Sequence, residues 1–293
     1  MTDVFQMLSD IGAVAKEHQE LFAHRTRDRE DLNVYRDRLS GVIYIDGFYA
    51  GDEVYEDGDY RKASLSRAGS RDYEIMCDVE RRAAAYSAFV AGRSILEFGC
   101  GDGAFLQRVR GEATTCIGVE LQRDYVSALN EDGIECCSSL DSLEGSKYDT
   151  VVSFHVLEHL PDPMSVLLEL KRVLKPGGIL VVEVPHARDL LISELKNKAF
   201  TEFTLWSQHL VLHTRESLRR LLTAAGFENI IVEGVQRYSL SNHLTWLSKG
   251  TPGGHKSALS AIDTPDLKKA YEAALNRIDA TDTLVAIARA PAQ

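Results

Sequence analysis

Residues 94–106 read SILEFGCGDGAFL and decide the fold. The stretch begins as a short apolar run, typical of a buried β-strand, and carries an acidic residue, Glu97, near its end. Three alternating glycines follow, Gly99, Gly101 and Gly103. Because glycine has no Cβ, such a segment can turn sharply and bring its backbone N–H groups close to a ligand. The pattern predicts a strand followed by a loop that binds a small polar ligand.

The glycine spacing alone leaves two classes of ligand open. Together with Ala104 it also matches G-x-G-x-x-A, the dinucleotide fingerprint, and Glu120 lies about 20 residues further on, where an acidic residue would bind a ribose. Glu97 favours the other interpretation. A carboxylate two residues before the first glycine would attract a positively charged ligand and repel a pyrophosphate.

At these residues the chain resembles the class I S-adenosylmethionine (SAM) methyltransferases, whose first motif is acidic-x-Gly-x-Gly-x-Gly. Three further stretches fit that family in order: TCIGVE, which ends at Glu120, then YDTVVSFHVLEHLPDP, then LKPGGILVVEVP. The resemblance covers residues 73–289 and is most specific over residues 95–185. It implies an enzyme that binds SAM as its cofactor and releases S-adenosylhomocysteine.

The resemblance also implies which residues contact the cofactor. Glu97 would lie at its amino-acid end, the glycines against its backbone, and Glu120 at the ribose hydroxyls. Many relatives carry an acidic residue where this chain has Leu140, which Asp141 follows; the Leu140 backbone N–H could still contact the adenine. The predicted contacts are Glu97, Gly99, Gly101, Gly103, Glu120, Leu121, Leu140, Phe154 and His155.

Three histidines are candidates for a general base, which a hydroxyl acceptor requires. His155 follows the fourth predicted strand, His186 follows the fifth, and His209 comes from a segment that flanks the same rim of the sheet. Open α/β sheets bind ligands at this rim. Each histidine could instead be a hydrogen-bonded packing residue.

The run HVLEH at residues 155–159 matches H-x-x-E-H, the inverted zinc-protease motif. That motif needs one helix that carries both histidines a turn apart, whereas here the first histidine ends a strand and Pro161 soon follows. Zinc hydrolysis is therefore disfavoured. Methyl transfer from SAM requires no metal, and we predict none.

Strand and helix patterns alternate from residue 73 onward, which predicts an α/β fold with a doubly wound parallel sheet. The resemblance implies seven strands, the last one antiparallel. Residues 73–293 are predicted to form the SAM-binding Rossmann-like domain, with an insertion at residues 236–281 acting as lid or interface. Residues 1–72 are predicted to form an N-terminal helical and loop cap, with helices over residues 5–38. We place the strands near residues 94–99, 115–120, 134–139, 148–154, 178–185, 228–235 and 283–290.

Composition limits the partners. The net charge is −11 and the pI is about 5.3, which opposes a nucleic acid or an anionic membrane as the main partner. The first residues lack the pattern of a signal peptide, so we expect a cytoplasmic protein. The five cysteines contain no C-x-x-C pair, which argues against a zinc knuckle. Apolar faces on the N-terminal helices suggest a homodimer.

The expected function is methyl transfer from SAM to an oxygen of a small acceptor. The insertion mixes aromatic, basic and glycine residues, as do similar segments in methyltransferases of surface-polysaccharide and natural-product pathways, so a sugar-like or natural-product acceptor is expected. An N- or C-methyltransferase is the closest alternative. Two others are a NAD-dependent oxidoreductase and a non-catalytic SAM-binding subunit.

Overall fold

A seven-stranded sheet carries the glycine loop. The structure is a computed structural model that describes residues 3–56, 58, 71–145 and 147–292. Its strands are β1 Gln19–Ala23, β2 Val34–Asp37, β3 Ile43–Tyr44, β4 Ser94–Phe98, β5 Thr115–Val119, β6 Glu135–Cys137, β7 Tyr148–Phe154, β8 Leu174–Pro185, β9 Val211–Leu212, β10 Glu228–Val235 and β11 Thr283–Arg289. Its α-helices are α1 Val4–Asp10, α2 Asp52–Glu56, α3 Arg71–Ala85, α4 Ser87–Val90, α5 Ala104–Val109, α6 Arg123–Glu131, α7 Pro163–Val173, α8 Leu190–Ser193, α9 Lys198–Thr204, α10 Arg215–Ala224, α11 Leu240–Lys249 and α12 Pro265–Arg277.

The main sheet has the strand order β10-β11-β8-β7-β4-β5-β6. Strands β4 to β8 pair in parallel, and β11 pairs antiparallel with both β8 and β10. This arrangement confirms the predicted seven-stranded sheet with an antiparallel last strand. The chain runs from β4 outward to β6 and then returns to the other side of β4 as β7. Ligands bind at such a reversal, outside the carboxyl ends of the strands.

The prediction of helices over residues 5–38 is wrong beyond Asp10. After α1, the strands β1 and β2 pair antiparallel, and β3 and β9 extend them into a second sheet of four strands. The charged run between β1 and β2 resembles a solvated helix but forms their connection. The two segments form strands because their backbones pair across that connection, with Gln19 opposite Asp37. Residues 57 and 59–70 of the predicted cap lie outside the described residues, and the boundary at residue 72 stays a prediction.

The apolar face of α1 is covered by the rest of the chain. Val4, Met7 and Leu8 are at most 5% exposed and belong to the main hydrophobic core. This face therefore gives no reason to expect a dimer. Within the part of the chain that the structure describes, no helix combines the length and the apolar character needed to span a bilayer.

The segment predicted as an insertion, residues 236–281, lies between β10 and β11 and contains α11 and α12. Its first residues return to the main sheet. The Arg237 side chain donates hydrogen bonds to Asp78 on α3, and its Nη1 lies 3.1 Å from His155 Nε2. The segment thus contributes directly to the rim where ligands bind.

Candidate active site

The loop after β4 requires glycine for steric reasons. Gly99 and Gly103 have φ angles of 75° and 70°, in the left-handed region that side chains with a Cβ disfavour. A Cβ on Gly99 would lie 2.3 Å from Val156 Cγ2, and one on Gly103 would lie 2.3 Å from Leu129 Cδ2. The loop therefore packs its bare backbone against two neighbouring segments.

Replacing Gly99 with alanine should destabilise the protein by about 1–3 kcal/mol, because the new Cβ meets Val156 and φ is positive. Urea denaturation would measure this. Gly111→Ala is the control, since its Cβ would meet no described atom within 4 Å, and we expect a change within about 0.5 kcal/mol. Adding Val156→Ala to Gly99→Ala should recover part of the loss. No recovery would show that the contact with Val156 is not the cause.

Glu97 presents a buried carboxylate at the edge of this loop. Its side chain is 5% exposed, and its Oε2 has no hydrogen-bond partner among the described residues. Burial raises the pKa of Glu97 well above its usual range; the Arg82 charge lowers it, and the charges of Asp102 and Glu120 raise it further. A buried polar atom without a partner is costly. A cationic ligand group at this position would supply the partner and favour the charged carboxylate, so the site fits the ammonium group of SAM.

Glu120 follows β5 and holds the glycine loop. Its Oε2 accepts a hydrogen bond of 2.7 Å from the Gly101 backbone N–H, and its Oε1 accepts one of 2.9 Å from that of Gln122. The next residue, Leu121, is 42% exposed, and Leu140 is buried where it begins a short 3-10 helix. The predicted ribose and adenine contacts thus follow the carboxyl ends of β5 and β6.

Phe154 ends β7 inside an aromatic and cationic cluster. Its ring stacks on Tyr86 with the centroids 5.9 Å apart and meets the Phe105 ring edge-on at 5.1 Å. The Arg82 guanidinium lies 4.2 Å from the Phe154 centroid. These contacts fix the end of the strand to which His155 is attached.

Both ring nitrogens of His155 have polar neighbours. Nε2 lies 3.1 Å from Arg237 Nη1, and Nδ1 lies 3.3 Å from Glu158 Oε1. Arginine only donates, so Nε2 accepts, and Nδ1 carries the proton that is donated to the carboxylate. Burial, together with the charges of Arg237 and Arg82, lowers the pKa of His155 well below its usual range. For His155 to accept a proton at Nε2, its contact with Arg237 must open.

The other two candidate bases have different partners. His186 is 1% exposed, and its Nδ1 donates to the Thr281 carbonyl at 2.9 Å. Burial lowers the pKa of His186 to about 4, and the negative charge of Asp279 opposes that shift. The His209 ring lies 5.1 Å from that of His159 and 5.3 Å from that of Trp206, between centroids.

A buried ion-pair network joins β8 to α3 next to the site. Glu183 is fully buried and accepts hydrogen bonds from Arg81, Arg82 and Tyr86 at 2.6 to 2.9 Å. Neither this network nor the role of Arg237 was predicted from the sequence. One signal was available, because Glu183 is a lone charge within the apolar run LVVEVP of a central strand. A buried charge in such a strand needs partners.

One cleft of about 1970 Å³ connects these residues. Every predicted cofactor contact except Gly103 lines it, and so do all three candidate bases. Its volume exceeds the roughly 300–1,000 Å³ typical of a site for one small ligand. The parallel sheet, the glycine loop and the acidic residues after β4 and β5 define a nucleoside-binding α/β protein with room for a second molecule.

Comparisons with known proteins agree with this class of protein. A family model described as a methyltransferase domain matches residues 68–232. The chain is 32% identical over 99 residues to the ubiquinone biosynthesis O-methyltransferase of Thiobacillus denitrificans, covering 30% of this chain and 43% of that protein. It is 27% identical over 215 residues to the tRNA U34 carboxymethyltransferase of Alteromonas mediterranea. This match covers 65% of this chain and 60% of that protein. The structure of a SAM-dependent methyltransferase from Archaeoglobus fulgidus shares the fold at a TM-score of 0.53 and 22% identity, covering 78% of this chain and 99% of that one.

The chain belongs to the methyltransferase domain family, since the family model matches more than half of it. SAM is the cofactor of this class, and the glycine loop and the Glu97 carboxylate fit it. The predicted family and cofactor are confirmed. The chain spans less than two thirds of the length of the two curated relatives named above.

Proposed function

We propose that this chain transfers a methyl group from SAM to an oxygen of a small, sugar-like or natural-product acceptor. The observation that carries the proposal is the buried Glu97 carboxylate, whose Oε2 lacks a partner beside the glycine loop. SAM supplies a methyl group on a cationic sulfur, so the acceptor oxygen forms a C–O bond as the C–S bond breaks, and S-adenosylhomocysteine and a proton leave. The chain's residues orient the two molecules and exclude water.

The cleft is also lined by residues that are not predicted cofactor contacts, and these suit a small polar acceptor. Asn242, which is 5% exposed, lines it with an Oδ1 that has no hydrogen-bond partner among the described residues. Such an oxygen can accept from an acceptor hydroxyl. Tyr49, Trp206 and Trp246 also line the cleft and add apolar ring atoms to its surface. A sugar-like ring combines both properties.

The named relatives suggest different acceptors. The relative called a ubiquinone biosynthesis O-methyltransferase supports an oxygen acceptor. The one called a tRNA U34 carboxymethyltransferase suggests RNA, but the net charge of −11 disfavours a polyanionic acceptor. We therefore keep the expectation that neither nucleic acid nor membrane is the main partner, together with a cytoplasmic location.

His155 is the proposed general base, because it directly follows β7 and is itself one of the predicted cofactor contacts; His186 and His209 are the other candidates. We expect His155→Gln to lower kcat by about 10²–10⁴-fold while SAM affinity changes little. The measurement is S-adenosylhomocysteine release in an acceptor screen that begins with nucleotide sugars, with calorimetry for SAM binding.

His18→Gln is the matched control, since its imidazole lies 3.8 Å from Asp37, at the end of β2 in the second sheet. Full turnover by His155→Gln would contradict the base assignment. If His186→Gln and His209→Gln also kept full turnover, N-methylation would be favoured, because an amine loses its proton more readily than a hydroxyl. SAM binding without turnover of any acceptor would instead support the non-catalytic subunit.

A further inference from the structure

Three side chains with metal-binding atoms meet at one wall of the cleft. Glu158 and His159 belong to the 3-10 helix Leu157–His159 that follows β7, and His209 precedes β9. One ligand atom from each lies within 4.8 Å of the other two. Glu158 is fully buried, and 15% of the His159 side chain is exposed. The cluster is therefore accessible from the cleft through His159, whereas the Glu158 carboxylate is shielded from solvent.

Neighbouring groups orient two of these ligand atoms. His159 Nδ1 lies 2.9 Å from the Gln208 carbonyl oxygen, which can only accept, so Nδ1 carries the proton and Nε2 keeps its lone pair. That Nε2 is 4.0 Å from Glu158 Oε1. The His155 Nδ1–H donates to the same carboxylate at 3.3 Å. Metal-binding histidines and carboxylates are commonly held by outer hydrogen bonds of this kind.

Two atoms of the cluster are buried without a partner. Neither Glu158 Oε2 nor His209 Nδ1 has a hydrogen-bond partner among the described residues. An unpaired buried polar atom costs roughly 1–3 kcal/mol, so two of them in one cluster need an explanation. A cation between the three side chains would supply the missing partner for both.

We propose that Glu158, His159 and His209 bind a divalent transition-metal ion of the zinc type. Two imidazole nitrogens and one carboxylate oxygen suit Zn²⁺ and leave one coordination position open when the protein supplies only three ligands. Mg²⁺ is disfavoured because it prefers oxygen ligands in octahedral geometry. No metal was expected from the sequence, where the histidine pair of the H-x-x-E-H run was His155 and His159. The proposed site differs, because it uses His209 in place of His155.

His159 and His209 line the cleft, so an ion held by them would be within reach of an acceptor bound there. An acceptor hydroxyl bound to the ion would lose its proton more readily. This consequence rests on the proposed function, whereas the metal site itself does not. His209 would then be a ligand and not the general base.

The test is calorimetric titration of Zn²⁺ into the full chain after dialysis against a chelator. We expect one ion per chain, an affinity at least about 100-fold weaker in Glu158→Gln and in His209→Ala, and no displacement by excess Mg²⁺. His18→Ala is the control, because it removes an imidazole from a different part of the molecule. Cobalt substitution of the wild type adds a spectrum that reports coordination by nitrogen and oxygen ligands without any variant.

The far-UV circular dichroism spectrum and the thermal unfolding of each variant report its folding, independently of any ligand. Absence of Zn²⁺ binding to the wild type, or equal binding by wild type and both folded variants, would overturn the site. If a variant does not fold, the cobalt spectrum decides: one without imidazole coordination would overturn the proposal. Zinc binding without any SAM binding would instead refute the proposed function and leave the metal site standing.

Discussion

Glu97→Gln is expected to weaken SAM binding about 100-fold, which corresponds to about 2.7 kcal/mol. The carboxylate has no partner for Oε2 among the described residues and stands beside the glycine loop, so its charge is available to the ammonium group of the cofactor. An amide keeps the shape of the side chain and loses the charge. Isothermal titration calorimetry with SAM and S-adenosylhomocysteine would measure the change.

The same substitution should not destabilise the ligand-free protein. Because burial raises the pKa of Glu97, ionisation of this carboxyl opposes folding above its usual pKa of 4.5. We expect the midpoint of thermal unfolding at neutral pH to stay the same or rise. Asp124→Asn is the matched control, since Asp124 is exposed on α6. Unchanged SAM affinity in Glu97→Gln would remove the main support for the proposed cofactor site.

Glu183→Gln should lower the free energy of unfolding by about 3–5 kcal/mol. The substitution removes the charge that pairs with Arg81 and Arg82 in a fully buried position. Arg81 still has Asp78 as a partner, so Arg82 carries most of the loss. Urea denaturation at neutral pH would measure the change. Glu233→Gln is the control, because Glu233 is exposed on β10, and we expect less than about 0.5 kcal/mol there.

The pH dependence of this stabilisation has a defined sign. Burial alone would raise the pKa of Glu183, but the charges and hydrogen bonds of Arg82 and Arg81 hold it well below its usual value of 4.5. The folded pKa is depressed, so the stabilisation is complete above pH 4.5 and is lost as the pH falls toward the folded pKa. Wild type and Glu183→Gln should therefore converge in stability on acidification. A constant difference down to acidic pH would contradict the ion-pair account.

The sequence predicted the parts of the fold that local patterns determine. The run from β4 to Gly103 carries its own strand and turn signals, and each later strand of the main sheet is a short apolar run between turns. Strands β1 and β2 have no such signal. β1 and β2 are short and rich in charged and polar residues, and they become strands by pairing with each other and, through β3, with β9.

The polar partners at the site were beyond sequence reasoning because they join distant residues. Arg237 reaches His155 across 82 positions, and Arg81 reaches Glu183 across 102. No periodicity or motif spans such separations. The H-x-x-E-H run shows the same limit, since two of its residues do form a cluster but with His209, some 50 positions further along the chain.

Binding of nucleoside ligands tests the central claim most directly. Calorimetric titration of the wild-type chain with SAM, S-adenosylhomocysteine and NAD needs no knowledge of the acceptor. We predict that both adenosyl ligands bind with one molecule per chain and that NAD does not bind. Binding of NAD alone would contradict the methyltransferase account, and Glu120 would then be the ribose contact of a dehydrogenase.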